Sequence, residues 1–266
     1  MDKIRALVIE ELNELDNIIF NSFNSNNIIL EDLRKFLIGK SKRVRSVLSI
    51  LYLKANGIDI SDKIYDLLTA GELIHNASLL HDDVIDNSEY RREKETLYKK
   101  YGSKMSVLSG DYLLSLAVKY LINLNNKDIL NEFINVTQKM SSAEVKQFLN
   151  RNKDISLDDY LEIIEGKTAS LFSAIIKCSA ILAGLDKSFA ENLGKIFGMI
   201  FQINNDLKPE SMKNDNLNGV RTAKDILGIE KTLALKDNYK EEMKELLAEL
   251  PKNRYKQGLE DLIELL

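Results

Sequence analysis

The amino-acid sequence predicts an all-α protein that forms a single domain over residues 1–266. Only two prolines and 12 glycines occur in the chain, and these are the residues that most often end a helix. Segments of strict apolar–polar alternation between turn residues, which would indicate strands, do not stand out. The chain is long enough to bury a sizeable core as a single domain.

The composition narrows the classes of function. With 44% hydrophobic and 29% charged residues, the chain has the balance of a soluble globular protein. Its net charge of −4 and its lack of a basic stripe make nucleic acid an unexpected partner. We expect no membrane span and no signal peptide, since no apolar run approaches the necessary length. The single Cys178 excludes an intrachain disulfide, so we expect a buried, inert thiol in a cytoplasmic protein.

Apolar residues recur at helical spacing along most of the chain. A polar loop is predicted at 21–27, and Pro209 and Pro251 each end a helix. A second polar loop, over 209–224, could close over a site. The predicted helices span 2–23, about 30–37, most of 38–57, the apolar run up to the acidic residues at 82–86, 103–122, 127–150, 157–184, 187–208, 235–249 and 253–265.

The stretch IHNASLLHDDVIDNSEYRR at 74–92 carries the chemistry. Asp82 and Asp86 are four residues apart and project from one face of a helix, with Asp83 about 100° away. Acids at the end of an apolar helix need a cation, which Mg²⁺ or the Arg91–Arg92 pair could supply. Carboxylates beside arginines suit a metal-bound phosphate ester. Because a bare acidic triplet is more often solvated surface, its sequence context must decide.

That context resembles a known family. LLHDDVID, the Arg-Arg pair five residues later and SVLSGDYLL at 106–114 are similar to the first aspartate-rich motif of trans-isoprenyl diphosphate synthases, the polyprenyl synthetases. The resemblance implies a helical bundle around a deep central cavity, with two acidic motifs facing each other across it. It implies that Asp82, Asp83 and Asp86 bind part of a set of two or three Mg²⁺ ions. It also implies a head-to-tail condensation of isopentenyl diphosphate with an allylic diphosphate.

Basic residues crowd the start of the helix in IGKSKRVRSVL. Cations oppose the dipole of a helix N-terminus, so either a bound anion or a solvated basic loop explains them. The segment resembles the isopentenyl diphosphate motif of the family, which implies that Lys42 and Arg45 bind this substrate. The resemblance adds His75 and Arg92 to the same group. Gly110 and Asp111 match a further family signature, in which we expect packing rather than chemistry.

The sequence KTASLF resembles the family segment that contacts the allylic diphosphate, which implies this role for Lys167 and Thr168. The resemblance gives Arg91 a share of the same diphosphate. In FQINNDLKP, Gln202, Asn205 and Asp206 share one helix face.

This segment resembles the second aspartate-rich motif, which implies that Asn205 and Asp206 bind metal and that Gln202 lies at the substrate. Asn205 and Pro209 replace two of its aspartates, and an uncharged Asn should hold Mg²⁺ less tightly. Two family lysines that grip diphosphate fall on Arg221 and on Glu230. Because Glu230 reverses the charge, Lys231 is its expected substitute.

The resemblance implies that Asp82, Asp86 and Lys167 promote departure of the allylic diphosphate. Residues four and five before the first aspartate form the cavity floor in the family when they are large aromatics. Here they are Ser78 and Ala77, so we expect products of geranylgeranyl length or longer. Ala77→Phe should shorten them.

Three alternatives stay open. Asn205, Pro209 and Glu230 motivate a catalytically weak or silent subunit of a heteromeric synthase. A class I terpene cyclase also needs an aspartate-rich motif and Mg²⁺, but it has no second diphosphate for Lys42 and Arg45 to hold. A plain helical scaffold comes last. The family implies a homodimer, and a heteromer is the other assembly considered.

Overall fold

The computed structural model describes residues 1–23, 28–38, 41–91, 94–209 and 218–266, and these ranges are almost entirely helical. A π-helical turn, Glu165–Ala169, separates two of the helices, and two short strands, β1 (Tyr90–Arg91) and β2 (Lys94–Glu95), form an antiparallel hairpin. The all-α class is therefore confirmed. The helices are α1 (Asp2–Ala6), α2 (Ile9–Asn21), α3 (Ile28–Ile38), α4 (Val44–Ala55), α5 (Asp62–Ile85), α6 (Leu97–Asn123), α7 (Lys127–Leu149), α8 (Leu157–Ile164), α9 (Ser170–Ala183), α10 (Lys187–Asp206), α11 (Ala223–Leu227), α12 (Ile229–Ala248) and α13 (Arg254–Glu264).

Most predicted helices are confirmed, with local differences that have physical reasons. The helix predicted over 2–23 breaks at Val8, a fully buried β-branched residue with non-helical φ and ψ of −134° and 27°. Helix α6 is interrupted at Gly102, whose φ of 79° lies in the left-handed region. Helix α10 ends three residues before Pro209, as its ring requires. The β-hairpin and α11 were not predicted.

The chain divides into two compact units. The smaller unit comprises Val8–Ile50 and Ile60–Leu130, and the larger comprises Met1–Leu7, Leu51–Asp59 and Asn131–Leu266. The predicted cavity between facing motifs stays a prediction. In the smaller unit, α5 packs along α6 and contacts α2. Gly110 permits this close approach, because a Cβ there would lie 2.3 Å from His81 Nε2. The predicted packing role of Gly110 is thus confirmed.

In the larger unit, α9 packs along α10. A Cβ at Gly194 would lie 2.7 Å from Ser173 Cα, and one at Gly198 would lie 2.4 Å from Ala169 Cα. Both contacts involve backbone, which cannot move aside, so glycine is required at these two positions. The close pairing sets the π-helical turn against the C-terminal half of α10. Cys178 is fully buried on α9 as predicted, and burial raises the pKa of its thiol.

Two helical stretches, Leu97–Asn123 and Leu157–Ala183, are long and apolar enough to cross a membrane by length and composition alone. The expectation that no run approaches this length is therefore corrected. In the second stretch the most apolar window is 67% buried inside the protein. Core helices of water-soluble proteins pass the same test, so these stretches are weak evidence for a membrane span.

Candidate functional site

The first aspartate-rich motif lies at the C-terminal end of α5. Asp82 is in the last turn and Asp86 caps the helix with φ and ψ of −93° and 0°, so both carboxylates keep the predicted shared face. Both side chains are partly exposed. A helix C-terminus carries a negative potential. Two carboxylates at this end are therefore repelled both by each other and by the helix dipole. The arrangement therefore favours a cation.

Asp83 has a different environment from its two neighbours. Its side chain is fully buried, and Arg91 donates from Nε and Nη2 to Oδ1 at 2.9 and 2.8 Å. Its Oδ2 is buried without a hydrogen-bond partner in the described part of the chain. Burial raises the pKa of the Asp83 carboxyl, with Arg91 opposing and Asp86 adding to the shift. Asp83 thus anchors the hairpin that carries Arg91, and its predicted metal contact would need the remaining oxygen.

The carboxylates of the first motif fit Mg²⁺ when a phosphate group also binds the ion. Among the described residues, no group of three or more His, Cys, Asp or Glu side chains could hold a metal ion. Mg²⁺, however, is commonly bound through one or two carboxylates, with substrate phosphates and water completing the octahedron. Asp82 and Asp86 supply such a pair, and the orphaned Asp83 Oδ2 adds negative charge beside it. A metal here depends on a phosphate-bearing partner.

Two of the residues predicted to bind isopentenyl diphosphate, Lys42 and Arg45, lie at the start of α4, and a third, His75, lies on α5. Lys42 is exposed, Arg45 is almost buried in the first turn of α4, and His75 is half-buried on α5. The structure does not describe residues 39–40 or 92–93. Arg92, predicted for the same group, therefore lies outside the described residues.

Arg43 fixes the segment between Lys42 and Arg45. Its side chain is 1% exposed and donates to Asp16 Oδ1 at 3.0 Å, Glu72 Oε2 at 2.9 Å and the Leu37 carbonyl at 3.0 Å. Its φ of 48° lies in the left-handed region that favours glycine. The ion pairs therefore hold a backbone conformation that arginine would otherwise avoid. Such strain is common where a structure positions a site.

Glu72 connects this segment to α5. It is 2% exposed, and its Oε1 accepts a hydrogen bond from Ser46 at 2.7 Å while Oε2 accepts from Arg43. Glu72 lies one helical turn before His75. The Arg43–Glu72 pair thus ties the start of α4 to the helix that bears both His75 and the first motif.

In the larger unit, Lys167 lies within the π-helical turn, a conformation that is frequent at functional sites. Its Nζ is paired with Glu144 on α7, so an anion compensates a lysine that lies within a largely apolar helical stretch. Gly166 allows α7 this close, because a Cβ there would lie 2.6 Å from Ala143 Cβ. The predicted contact of Lys167 with the allylic diphosphate stays a prediction.

Thr168 begins a chain of hydrogen bonds that ends at Tyr160. Thr168 Oγ1 donates to Gln202 Oε1 at 2.8 Å, and Gln202 Nε2 donates to Asp206 Oδ1 at 2.6 Å. The buried Tyr160 hydroxyl donates to Asp206 Oδ2 at 2.6 Å. The predicted shared face of Gln202 and Asp206 is therefore confirmed. Both carboxylate oxygens of Asp206 accept hydrogen bonds, and the residue is only 4% exposed.

The asparagines of the second motif are bonded to lysines. Lys208 Nζ donates to Asn205 Oδ1 at 2.5 Å, and Lys236 Nζ on α12 donates to Asn204 Oδ1 at 3.2 Å. A divalent cation would have to displace an ammonium group to reach the Asn205 oxygen. The donors at this motif therefore do not fit the metal predicted on Asn205 and Asp206, in contrast to those of the first motif.

The two remaining predicted residues lie after the loop. Arg221 Nη2 donates to Asp154 Oδ1 at 3.2 Å near the solvent, just before the capping box formed by Thr222 and Asp225. Lys231 is exposed in the first turn of α12. Half of the predicted loop, residues 210–217, lies outside the described residues.

Sequence reasoning missed several residues that position the site. Glu144 pairs with Lys167 and Glu72 pairs with Arg43 from distant parts of the chain, and no local pattern marks either glutamate. Tyr160 donates to Asp206 from 46 residues away, and spacing along the chain does not indicate that contact. Gly194 and Gly198 form a GxxxG spacing in a helical run, and this signal could have indicated a close helix contact.

Known proteins are similar in sequence to this chain. The chain is 31% identical over 212 residues to octaprenyl diphosphate synthase of Escherichia coli and 35% identical over 207 residues to a prenyl transferase of Cyanidium caldarium. These matches cover 78% and 74% of this chain but 65% and 64% of the relatives. The chain thus spans just under two thirds of their length.

Solved structures agree on the fold. A decaprenyl diphosphate synthase from Rhodobacter capsulatus superposes with a TM-score of 0.92 at 24% identity, covering 99% of this chain and 97% of that one. An isoprenoid synthase family member from Thermotoga neapolitana gives 0.81 at 28% identity, covering 94% and 96%. The sequence profile of the family described as polyprenyl synthetase matches residues 26–265. The chain therefore belongs to the polyprenyl synthetase family.

Proposed function

We propose that this chain is a trans-prenyltransferase that joins isopentenyl diphosphate to an allylic diphosphate and releases a longer isoprenyl diphosphate. The observation that carries the proposal is the partly exposed Asp82–Asp86 pair at the negative end of α5, next to the hairpin that Arg91 anchors. The names of the relatives, among them octaprenyl and solanesyl diphosphate synthases, support the same reaction. They also support products of geranylgeranyl length or longer.

Each residue group has a separate task in this proposal. Asp82 and Asp86 hold the metal, which supplies Lewis-acid stabilisation of the leaving diphosphate when bound. Lys167 and Arg91 offset the remaining charge of the allylic diphosphate, with Thr168 and Gln202 bonded beside Lys167. Lys42, Arg45 and His75 orient isopentenyl diphosphate, and Arg221 and Lys231 add cations after the loop.

The reaction balances without a nucleophilic side chain. The allylic C–O bond breaks and its electron pair leaves with diphosphate. The isopentenyl double bond then forms the new C–C bond to the allylic carbon, and the product loses one proton. The departing diphosphate accepts that proton, so the side chains need only bind and stabilise charge. No Ser, Cys or His has to act as a nucleophile.

A product assay tests the proposal. Purified protein is incubated with Mg²⁺, labelled isopentenyl diphosphate and, separately, dimethylallyl, geranyl and farnesyl diphosphates. We expect elongated products, and Asp82→Asn should reduce their formation by about 100-fold or more. Asp62→Asn, at the other end of α5, is the matched control and should leave activity unchanged. Absence of product from every primer would contradict the proposal.

The second motif favours one alternative function. Its lysine-bonded asparagines and buried Asp206 match what a subunit that binds diphosphate without turning it over would need. This alternative would be supported if the product assay gave no product while calorimetry showed that the chain binds diphosphate. The metal-competent first motif argues for the active enzyme.

We further propose a homodimer in the cytoplasm. Val107, Val118 and Ile122 are exposed on α6 at spacings of eleven and four residues, which places them on one side of the helix. A second copy could cover such an apolar side through a two-fold interface. Light scattering should give twice the chain mass, and Val118→Glu should reduce it to one. The cytoplasmic location rests on the lone, buried Cys178.

A further inference from the structure

The amide oxygens of the second motif already have cationic partners. Asn205 Oδ1 accepts a hydrogen bond from Lys208 Nζ at 2.5 Å, and Asn204 Oδ1 accepts one from Lys236 Nζ at 3.2 Å. Lys236 is held further by the carbonyl of Leu266 at 2.7 Å. Two lysine side chains therefore contact the motif at the end of α10.

The remaining carboxylate of the motif is turned inward. Asp206 is 4% exposed, and its two oxygens accept hydrogen bonds from Tyr160 and Gln202, both at 2.6 Å. Hydroxyl and amide donors satisfy the carboxylate without a metal. Pro209, the third motif position, has no side-chain oxygen. The motif therefore presents no accessible carboxylate among the described residues 201–209.

These contacts exclude a divalent ion on physical grounds. Mg²⁺ demands near-ideal octahedral coordination by oxygen and is reluctant to shed water, so it needs accessible and preferably anionic donors. A resident ammonium group on Asn205 occupies one lone pair of the amide oxygen and repels a second cation that would approach the same atom. An ammonium group is itself a compact charge that binds phosphate oxygens directly.

We propose that the second motif of this chain binds no divalent metal and that the Lys208 ammonium is its resident cation, presented to a diphosphate in place of a metal ion. This inference deepens the proposed function and rests on the diphosphate binding proposed there. It limits divalent metal binding to the first motif, at Asp82 and Asp86. The enzyme would then use fewer metal ions than the two or three that the family implies.

The number of divalent metal ions bound per chain can be measured with manganese. Mn²⁺ replaces Mg²⁺ at oxygen sites, and the signal of free Mn²⁺ is measured by electron paramagnetic resonance. The full chain is titrated with Mn²⁺ in the presence of inorganic diphosphate, and the Mn²⁺ that the same concentration of diphosphate binds without protein is subtracted. We expect Asp82→Asn/Asp86→Asn to abolish all saturable binding, while Lys208→Gln leaves the stoichiometry unchanged. A saturable site that survives in the double variant and disappears on adding Asn205→Ala would overturn the proposal.

A gain-of-site variant checks that the method can detect a metal at this position. Asn205→Asp/Lys208→Ser/Pro209→Asp restores the carboxylates and removes the ammonium group, and we expect one additional Mn²⁺ per chain. An unchanged count in this variant would contradict the idea that these residues exclude the metal. Circular dichroism of every variant confirms that the helices are retained.

The role of Lys208 as a cation is measured separately by calorimetric titration with inorganic diphosphate. Lys208→Gln should weaken binding by about tenfold, the size expected for one charge-assisted hydrogen bond. Lys187→Gln, exposed at the start of α10, is the matched control. Equal affinities of Lys208→Gln and wild type would refute this role. None of these readouts requires turnover, so a failed product assay would contradict the proposed function and leave the metal count interpretable.

Discussion

The buried Arg43–Glu72 pair permits a sharp test of how the start of α4 is held. Arg43 and Glu72 are 3% and 2% exposed, and their side chains meet at 2.9 Å. Among the described residues, Arg43→Met leaves Ser46 as the hydrogen-bond donor to the Glu72 carboxylate. Removing one partner of a buried ion pair typically costs about 3–5 kcal/mol. That is a large fraction of the roughly 5–15 kcal/mol by which a domain is stable.

A double-mutant cycle isolates the pair. Glu72→Gln removes the charge that Arg43→Met leaves behind, so the double variant should recover about half of the lost stability. The free energy of unfolding is measured by urea denaturation followed at 222 nm, with constant m-values as the check for two-state behaviour. Lys35→Met, which breaks the exposed pair with Glu31, is the control and should cost less than about 1 kcal/mol.

The same variants connect stability with the site. Because Arg43 lies between Lys42 and Arg45, we expect Arg43→Met to raise the KM for isopentenyl diphosphate more than it lowers kcat. A coupling energy below about 0.5 kcal/mol, the size found for independent sites, would refute the reasoning.

Three further predictions follow from burial. Ser78 is half-buried and Ala77 is fully buried. We therefore expect Ser78→Phe to shorten the product at nearly native stability, whereas Ala77→Phe should shorten the product and also lower the melting temperature. Identical product profiles in wild type and both variants would count against this prediction. Cys178 should not react with Ellman's reagent at pH 8 until urea unfolds the protein, because burial raises its thiol pKa; rapid native labelling would contradict this. Burial raises the pKa of Asp83 above its usual 3.8, so the folded state binds this proton more tightly than the unfolded state does. Relative to Asp83→Asn, the free energy of unfolding should therefore increase as the pH falls through the raised pKa towards 3.8, and an opposite slope in urea titrations would show the assignment to be wrong.

Local pattern was sufficient for much of the fold. The helical spacing of apolar residues predicts most helices, and Pro209 and Pro251 mark real helix ends. The shared face of Gln202 and Asp206 also follows from spacing alone, because i and i+4 positions meet on any α-helix.

The partners of the site residues were not predictable from local pattern. Glu72 is 29 residues from Arg43, and Tyr160 is 46 from Asp206. Spacing along a chain says which residues share a helix face, but not which helix that face meets. From the sequence alone, Asp206 is interpreted as a metal ligand. The contacts and the burial of this residue in the structure change that interpretation.

The π-helical turn has a consequence for insertions and deletions. A π-helical turn holds one residue more than an α-helical turn, and each residue rotates a helix by about 100°. Upstream of it Tyr160 meets Asp206, and downstream α9 packs against Gly194 of α10. Deleting one residue between Glu165 and Ala169 could restore a regular helix, yet it would rotate one of these faces away from its partner. The segment is thus a point where the length of the chain, more than its composition, keeps two neighbouring surfaces in register.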